Sequence, residues 1–497
     1  MVPYLSVILR GGPAPPGKEI ALLKVKQFLG IPAIVTLLVS MTWANATAQE
    51  TGNSGNMPAM ASGSPTLFLG GVPQGEKTAG VLQLSLADAI GKGLRYNLGV
   101  LVGNQSVSAV RGARMAALSR LMPQISATAG VMHARINMDD MGLGDAVPDS
   151  VTALNAGAAI TQSILDFSAI NRYRATGESL KAAEFSNENA RYMAAYVVTG
   201  LYLQAVASNS RIEAARAQVQ TAQSLYDLAV DQKAAGVVSG IETLRAQVEL
   251  QAEQQRLIVA EDQFAKDKLS LARAMGLPLG QEFSLTDAMS FIPLSTLSLE
   301  TLVARALQER PDHKSSEAGV RALEFERASA AAGNLPSLAA SADYRLMSPL
   351  PPDGHGSLAT VGATLRIPIF TGGAVKSRVL EADAALRQRQ AELEDLKAQI
   401  HYDVQRAFLD LTAAASRVKV AESAIKLARE QVEQSQDRFR AGVTNNVEVV
   451  QAQEALATAN ENHIASLQAH NMAKLALARA MGVPGDAYES FLKGEYK

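Results

Sequence analysis

The sequence predicts a mainly α-helical chain with a β-barrel part, built as two tandem helix–hairpin–helix repeats. Three observations carry this. After Phe370-Thr371-Gly372-Gly373 about 68 residues pass without proline, rich in Ala, Glu, Gln, Arg and Leu. At 1.5 Å per residue such a helix reaches roughly 100 Å, longer than a globular core needs. The same stretch occurs twice: Ala235-Gly236-Val237 anticipates Ala441-Gly442-Val443, and Leu271 to Pro278 anticipates Leu477 to Pro484, both 206 residues apart (442 − 236 and 482 − 276). Four shorter segments change to a period of two, apolar residues alternating with small or polar ones, as strands do.

Composition narrows the class. The chain has 497 residues, a net charge of −2, no cysteine and 5% aromatic residues. The charge gives no reason to expect nucleic acid as a partner. Without cysteine there are no disulfides, no thiolate metal sites and no thioether-linked lipid.

Residues 1–48 read as a signal peptide: Lys24 and Lys26, the apolar run Phe28 to Met41, then Ala44-Asn45-Ala46 or Ala46-Thr47-Ala48. A membrane anchor is the alternative, for which that run is short. Residues 49–83 are rich in Gly, Ser, Pro and Asn and read as a flexible lead-in. The first repeat spans 84–278. Ser85 with Asp88 three residues later forms a capping box, and one helix is expected from there to about Leu121, stopping at Pro123. Strand one then carries Ile125, Ala127, Ala129 and Val131 on one face; strand two carries Leu154, Ala156, Ala158 and Ile160. A long helix follows from Ser168 to Lys233.

A connector, 279–296, leads to the second repeat, 297–484. Leu297-Ser298-Leu299 repeats Leu84-Ser85-Leu86 at an offset of 213, as Pro336 repeats Pro123. Strand three carries Leu338, Ala340, Ala342 and Tyr344; strand four carries Val361, Ala363, Leu365 and Ile367. In the helix from Gly373 to Arg440 the apolar seam runs Leu393, Leu396, Ile400, Val404, Ala407, Leu411, Ala414, Val418, Ala421, Ile425, Ala428, Val432, a coiled-coil type of spacing. Gly236 and Gly442 suit the left-handed position that closes a helix. Ser239 to Glu242 then reads as a capping box opening the return helix, and Asn445 to Glu448 as its Asn variant, so Glu242 and Glu448 have a structural role available. Residues 485–497 are a C-terminal tail. Connector and tail leave helix ends of matching sequence and are expected to belt the helices at one height.

Strands of about ten residues with one apolar face have the pattern of transmembrane barrel strands. A sheet half-buried on the helices is the alternative. Open edges cannot sit in lipid, and single-chain barrels begin at eight strands, so four strands must be pooled with copies of the same chain. These arguments leave two copies and three both open.

A catalytic search returns nothing. The six histidines show no ligand spacing, and His463 and His470 lie seven apart on one helix, read as solvated positions. Gly372-Gly373 lacks the rest of a phosphate loop. The expectation is no enzyme activity, no cofactor and no metal.

Taken in order, the motifs resemble one family. Leu121-Met122-Pro123-Gln124-Ile125 precedes strand one, and Pro368 to Gly373 follows strand four. Ala441-Gly442-Val443 comes before Glu448 to Gln453, and Ala-Arg-Ala-Met-Gly ends both repeats. The chain is similar to the TolC-like outer-membrane efflux proteins over about residues 84 to 484. The resemblance implies a homotrimer, giving a 12-stranded outer-membrane barrel on a long α-helical periplasmic tunnel. It implies a periplasmic adaptor docking on the tunnel-tip turns Gly236, Val237, Val238, Gly442 and Val443, and an inner-membrane pump reached through that adaptor. The apolar residues named for strands one, three and four would face outer-membrane lipid in a Gram-negative cell. Glu448, with Gln451 one turn on and Glu242, would stand at the pore entrance. Leu307 to Asp312 resembles the Arg-Pro-Asp stretch of efflux members, so small-molecule efflux is expected, with type I protein secretion as the alternative. A non-pore structural coiled coil of the periplasm is the reading from another class.

Overall fold

The computed structural model describes residues 65–73, 77, 80–135, 150–293, 298–349, 356–441, 443, 444 and 446–495. The expected signal peptide, Gly442 and Asn445 lie outside them.

After a 3-10 turn, Pro65–Leu69, come β1 (Leu82–Leu84), α1 (Leu86–Tyr96), α2 (Leu98–Ser119), β2 (Gln124–Arg135), β3 (Ser150–Leu165), α3 (Phe167–Ala234) and α4 (Gly240–Met275). β4 (Phe283–Leu285) follows. The second half has α5 (Leu299–Glu309), α6 (Pro311–Ala331), β5 (Ser337–Pro349), β6 (Gly356–Arg366), α7 (Ala374–Arg440), α8 (Asn446–Ala480) and, in the tail, α9 (Tyr488–Leu492). The protein is mainly helical, with α3 and α7 of 68 and 67 residues.

The capping box at Ser85 forms: its hydroxyl accepts from Asp88 N at 3.2 Å, and Ser85 N donates to the Asp88 carboxylate. The single helix expected to Leu121 does not. It breaks at Asn97, whose ψ of 133° is extended. The break is stable because Asn97, fully buried, replaces the lost helix bonds: its oxygen accepts from Gly99 N at 2.9 Å, and its amide donates to the carbonyls of Phe68 (2.6 Å) and Ala274 (3.1 Å). Arg310, 213 residues on, breaks α5 from α6 in the same manner, with Pro311 opening the next helix. Its buried guanidinium reaches Asp312 at 2.6 Å and Asp403 of α7 at 3.2 Å.

The two return helices end against these breaks. Gly276 and Gly482 have φ of 64° and 76°, and Leu277 N and Val483 N bond back to the carbonyls of Ala272 and Ala478, the Schellman pattern. A Cβ on Gly276 would lie 2.7 Å from Tyr96 Cβ; one on Gly482 would lie 2.8 Å from Arg310 N. Each long hairpin is thereby pinned where its own half starts.

In α7 every seam residue named from Ile400 to Val432 is buried, whereas Leu393 and Leu396 are half-buried. Around mid-height the largest core cluster gathers Leu84, Tyr202, Ile400, Leu475, Met481 and Tyr488. Tyr202 donates to Asp287 at 2.6 Å, and burial raises its pKa, with Asp287 adding to the effect.

Two further expectations need correction. Within the lead-in, Phe68 is buried against Val100 and Ala194, because Leu67-Phe68-Leu69 supplies apolar surface that the Gly- and Ser-rich average hides. His470, expected in solvent, is buried at 1% exposed. The connector also carries β4, which pairs in parallel with β1, Leu82 opposite Phe283.

Candidate functional site

The four long strands form one antiparallel sheet in the order β2-β3-β5-β6. Its register gathers the apolar positions on a single face. Ile125 pairs with Ile160, Ile160 with Ala342, and Ala342 with Val361. Ala127, Ala158, Tyr344 and Ala359 form the next row; Ala129, Ala156 and Leu346 stand beyond, and Val131 opposes Leu154. Toward the helices, Ala340 pairs with Ala363 and Leu338 with Leu365. Because side chains alternate along a strand, Ser126, Thr128, Ser341, Asp343 and Thr360 occupy the opposite face. There Arg345 pairs with Asp343 at 3.1 Å, and the Thr360 hydroxyl donates to Asp343. The apolar face has no cover: Ile125 is 76% exposed and Val361 88%. Ile367 lies just past the end of β6 and is exposed. Among the described residues no helix is long and apolar enough to cross a membrane.

At the far end of each hairpin the helices close on a tight turn. Gly236 has φ 76°, with Val237 N bonded to Gln232 O and Gly236 N to Lys233 O. Val443 N makes the matching bond to Arg438 O at 3.0 Å. Val237 and Val443 are 68% and 70% exposed, and Val238 is half-buried.

The acids beside these turns each pair with an arginine of their own hairpin. Arg438 meets Glu448 at 3.0 Å, and the Thr444 hydroxyl donates to the second oxygen. Arg245 meets Glu242 at 2.9 Å, while Glu242 Oε2 is buried without a partner. The capping box expected at Ser239 is absent: the Ser239 side chain makes no cap bond, since Glu242 turns to Arg245 instead. Gln451, one turn into α8, is exposed. Phe439 is buried with Leu225 and Val449, so the turn of one hairpin packs on α3 of the other.

Mid-height holds a lysine that sequence reading missed. Lys474 on α8 is fully buried and donates to the carbonyls of Ile292 (3.0 Å) in the connector and Leu492 (2.7 Å) in α9. Burial lowers its pKa to about 8. One turn earlier His470 stacks edge-on against Phe291, 4.8 Å between centroids, and burial, helped by Lys474, lowers its pKa to about 4. The advance signal is faint: His470 and Lys474, four residues apart, in a stretch rich in Ala, Leu and Met. Among the described residues no three His, Asp or Glu side chains gather to hold a metal ion.

Comparison with known proteins adds to this geometry. The profile of the family described as "Outer membrane efflux protein" matches residues 92–277 and 302–483. The pyoverdine export outer membrane protein OpmQ of Pseudomonas aeruginosa is 25% identical over 393 residues, covering 76% of this chain and 81% of that protein. The alkaline protease secretion protein AprF of the same species is 24% identical over 309 residues, covering 61% and 64%. In fold, the chain is similar to the crystal structure of the outer membrane protein VceC from Vibrio cholerae: TM-score 0.68, 17% identity, covering 80% of this chain and 96% of that one.

Proposed function

The chain belongs to the outer membrane efflux protein family, and from that premise we propose that three copies form the exit duct of a tripartite efflux system. Small molecules pass from an inner-membrane pump and periplasmic adaptor, through a helical tunnel, across the outer membrane. Members of the family are channels rather than enzymes, and the family match does not favour the non-pore coiled-coil reading.

One observation carries the proposal. Among the described residues, a four-stranded sheet has a continuous, exposed apolar face while its outer strands, β2 and β6, are each paired on one side only. Lipid accepts the apolar face but not the edges, so the strands of further copies must complete the ring. Three copies supply twelve strands, and Ile125, Ala342, Val361 and their row-mates then face lipid. The exposed valines at the hairpin turns, Val237 and Val443, supply apolar surface for the adaptor.

Small-molecule export is supported by the longer alignment with the pyoverdine exporter. The similarity to a protease secretion protein supports type I secretion as the second reading. Purified protein should run as a heat-modifiable trimer and conduct in planar bilayers; a monomer band and no conductance would refute the duct. Deleting the gene separates the readings: efflux predicts sensitivity to toxic small molecules with secreted proteins unchanged, and secretion predicts the reverse.

A further inference from the structure

The polar face of the sheet carries few charges. Asp343 and Arg345 compensate each other at 3.1 Å, and the Thr360 hydroxyl also donates to Asp343. Beyond Thr360, β6 continues with Gly362, Thr364 and Arg366 on the same face, because side chains alternate along a strand. Arg366 stands opposite Ser337, in the last row before the helices begin. It is exposed and, among the described residues, makes no hydrogen bond or ion pair.

The chain keeps acids away from this arginine. From Gly354 to Leu380 there is no Asp or Glu. In a closed ring β6 of one copy lies beside β2 of the next. From Ala89 to Arg135, a stretch that contains all of β2, there is no Asp or Glu either. Asp166, at the foot of β3, accepts from Ala169 N at 2.9 Å and caps α3, with β5 between it and β6. Arginine does not shed its proton in proteins, so the uncompensated charge persists at any working pH.

We propose that Arg366 makes the foot of the barrel an anion-selective ring, so that the duct favours cargo bearing a carboxylate, sulfate or phosphate group. This rests on the reading of a three-copy barrel with its polar face inward. Twelve strands about 4.8 Å apart and tilted by about 40° enclose a ring of roughly 12 Å backbone radius. A guanidinium extended inward from that wall lies within about one Debye length, 8–10 Å, of the axis at physiological salt. Three such charges then act on the whole cross-section, and the row holds no acid to cancel them. Rings of Arg or Lys are a common way to favour anions in a pore. The 67 residues of α7, about 100 Å of helix, separate this ring from the acids at the hairpin turn, so the two can be read apart.

The lack of cysteine makes a direct test available. Thr364→Cys puts a thiol on the face of Arg366, and Leu365→Cys puts one on the opposite face. Full-length protein in liposomes is reacted at low salt with an anionic and a cationic methanethiosulfonate. The ratio of the two labelling rates reports the local potential and cancels any change in thiol reactivity. Thr364→Cys should label with the anionic reagent favoured, relative to free cysteine. Adding Arg366→Gln should lower the ratio by about threefold or more, and Arg366→Lys should keep it. The difference should vanish at 1 M salt, where the Debye length is about 3 Å. Trimer mobility on a gel shows that each variant assembles. A ratio unchanged by Arg366→Gln, or a difference that persists at 1 M salt, overturns the proposal. Failure of the duct reading looks different: no conducting trimer forms, or Leu365→Cys labels as fast as Thr364→Cys, and the proposal falls with it.

Discussion

The guanidinium of Arg438 holds the carboxylate of Glu448 at 3.0 Å across the turn joining α7 to α8. If the proposed trimer forms, it would present three compensated pairs in place of three free acids. Arg438→Gln should therefore raise cation preference several-fold and bring on block by magnesium, whereas Glu448→Gln should shift preference toward anions. Reversal potentials across a salt gradient measure both. Because the pair is exposed, at 57% and 38%, neither change should alter oligomer stability by more than about 1 kcal/mol. Equal selectivity in both variants would place these residues away from the pore.

The sheet register sets Ala342 in the apolar row and Ser341 in the polar one. Ala342→Arg should cost about 2–4 kcal/mol if that row faces the middle of a bilayer, and Ser341→Arg much less. The readout is trimer recovered from outer membranes. Equal recovery would mean that the apolar face does not meet lipid.

Gly236 and Gly482 share φ of 76° but not surroundings. A Cβ on Gly236 meets nothing within 4 Å, whereas one on Gly482 meets the backbone of Arg310 at 2.8 Å. Gly236→Ala should then lose only the strain of a left-handed residue, about 1–2 kcal/mol. Gly482→Ala should lose about 1–3 kcal/mol more from crowding. Thermal melts of the two variants side by side test this, and identical losses would contradict the close contact.

His470 carries a pH dependence. Its folded pKa, about 4, lies below the ordinary 6.5, so between those values the unfolded chain holds a proton that the folded chain does not. Stability is then full above pH 6.5, falls as pH drops toward 4, and levels off below, a loss of at most about 3 kcal/mol. His470→Leu should flatten the melting temperature across that window. An unchanged slope would assign the acid sensitivity to other groups.

Much of this was legible in the sequence where a physical period repeats. Period two placed Ile125, Ala342 and Val361 on one face, and the seam from Ile400 to Val432 followed from steps of three and four. Glycine at Gly236, Gly276 and Gly482 marked helix ends, because only glycine adopts positive φ without strain. What stayed hidden depends on neighbours far along the chain. Asn97 breaks a helix only because Phe68 and Ala274 accept its amide protons. Arg438 and Glu448 lie ten residues apart and meet only once the turn has folded. His470 reads as solvent-facing on a helix, yet the connector and tail wrap over it and over Lys474 one turn on.

The pinning of Gly276 at Tyr96 and of Gly482 at Arg310 bears on how such chains change length over evolution. The return end of each hairpin is anchored at the helix break of its own half, and the return helices, α4 and α8, have 36 and 35 residues. Seven residues inserted into α3 alone would add about 10 Å to one arm and leave α4 unable to regain its anchor. The same seven added to α3 and α4 but not to α7 and α8 would leave the two turns at different heights. Viable insertions or deletions must therefore come in matched sets of four, two per hairpin. Relatives that differ in tunnel length should carry compensating changes at all four places, and lone changes should be confined to the strand loops and the tail.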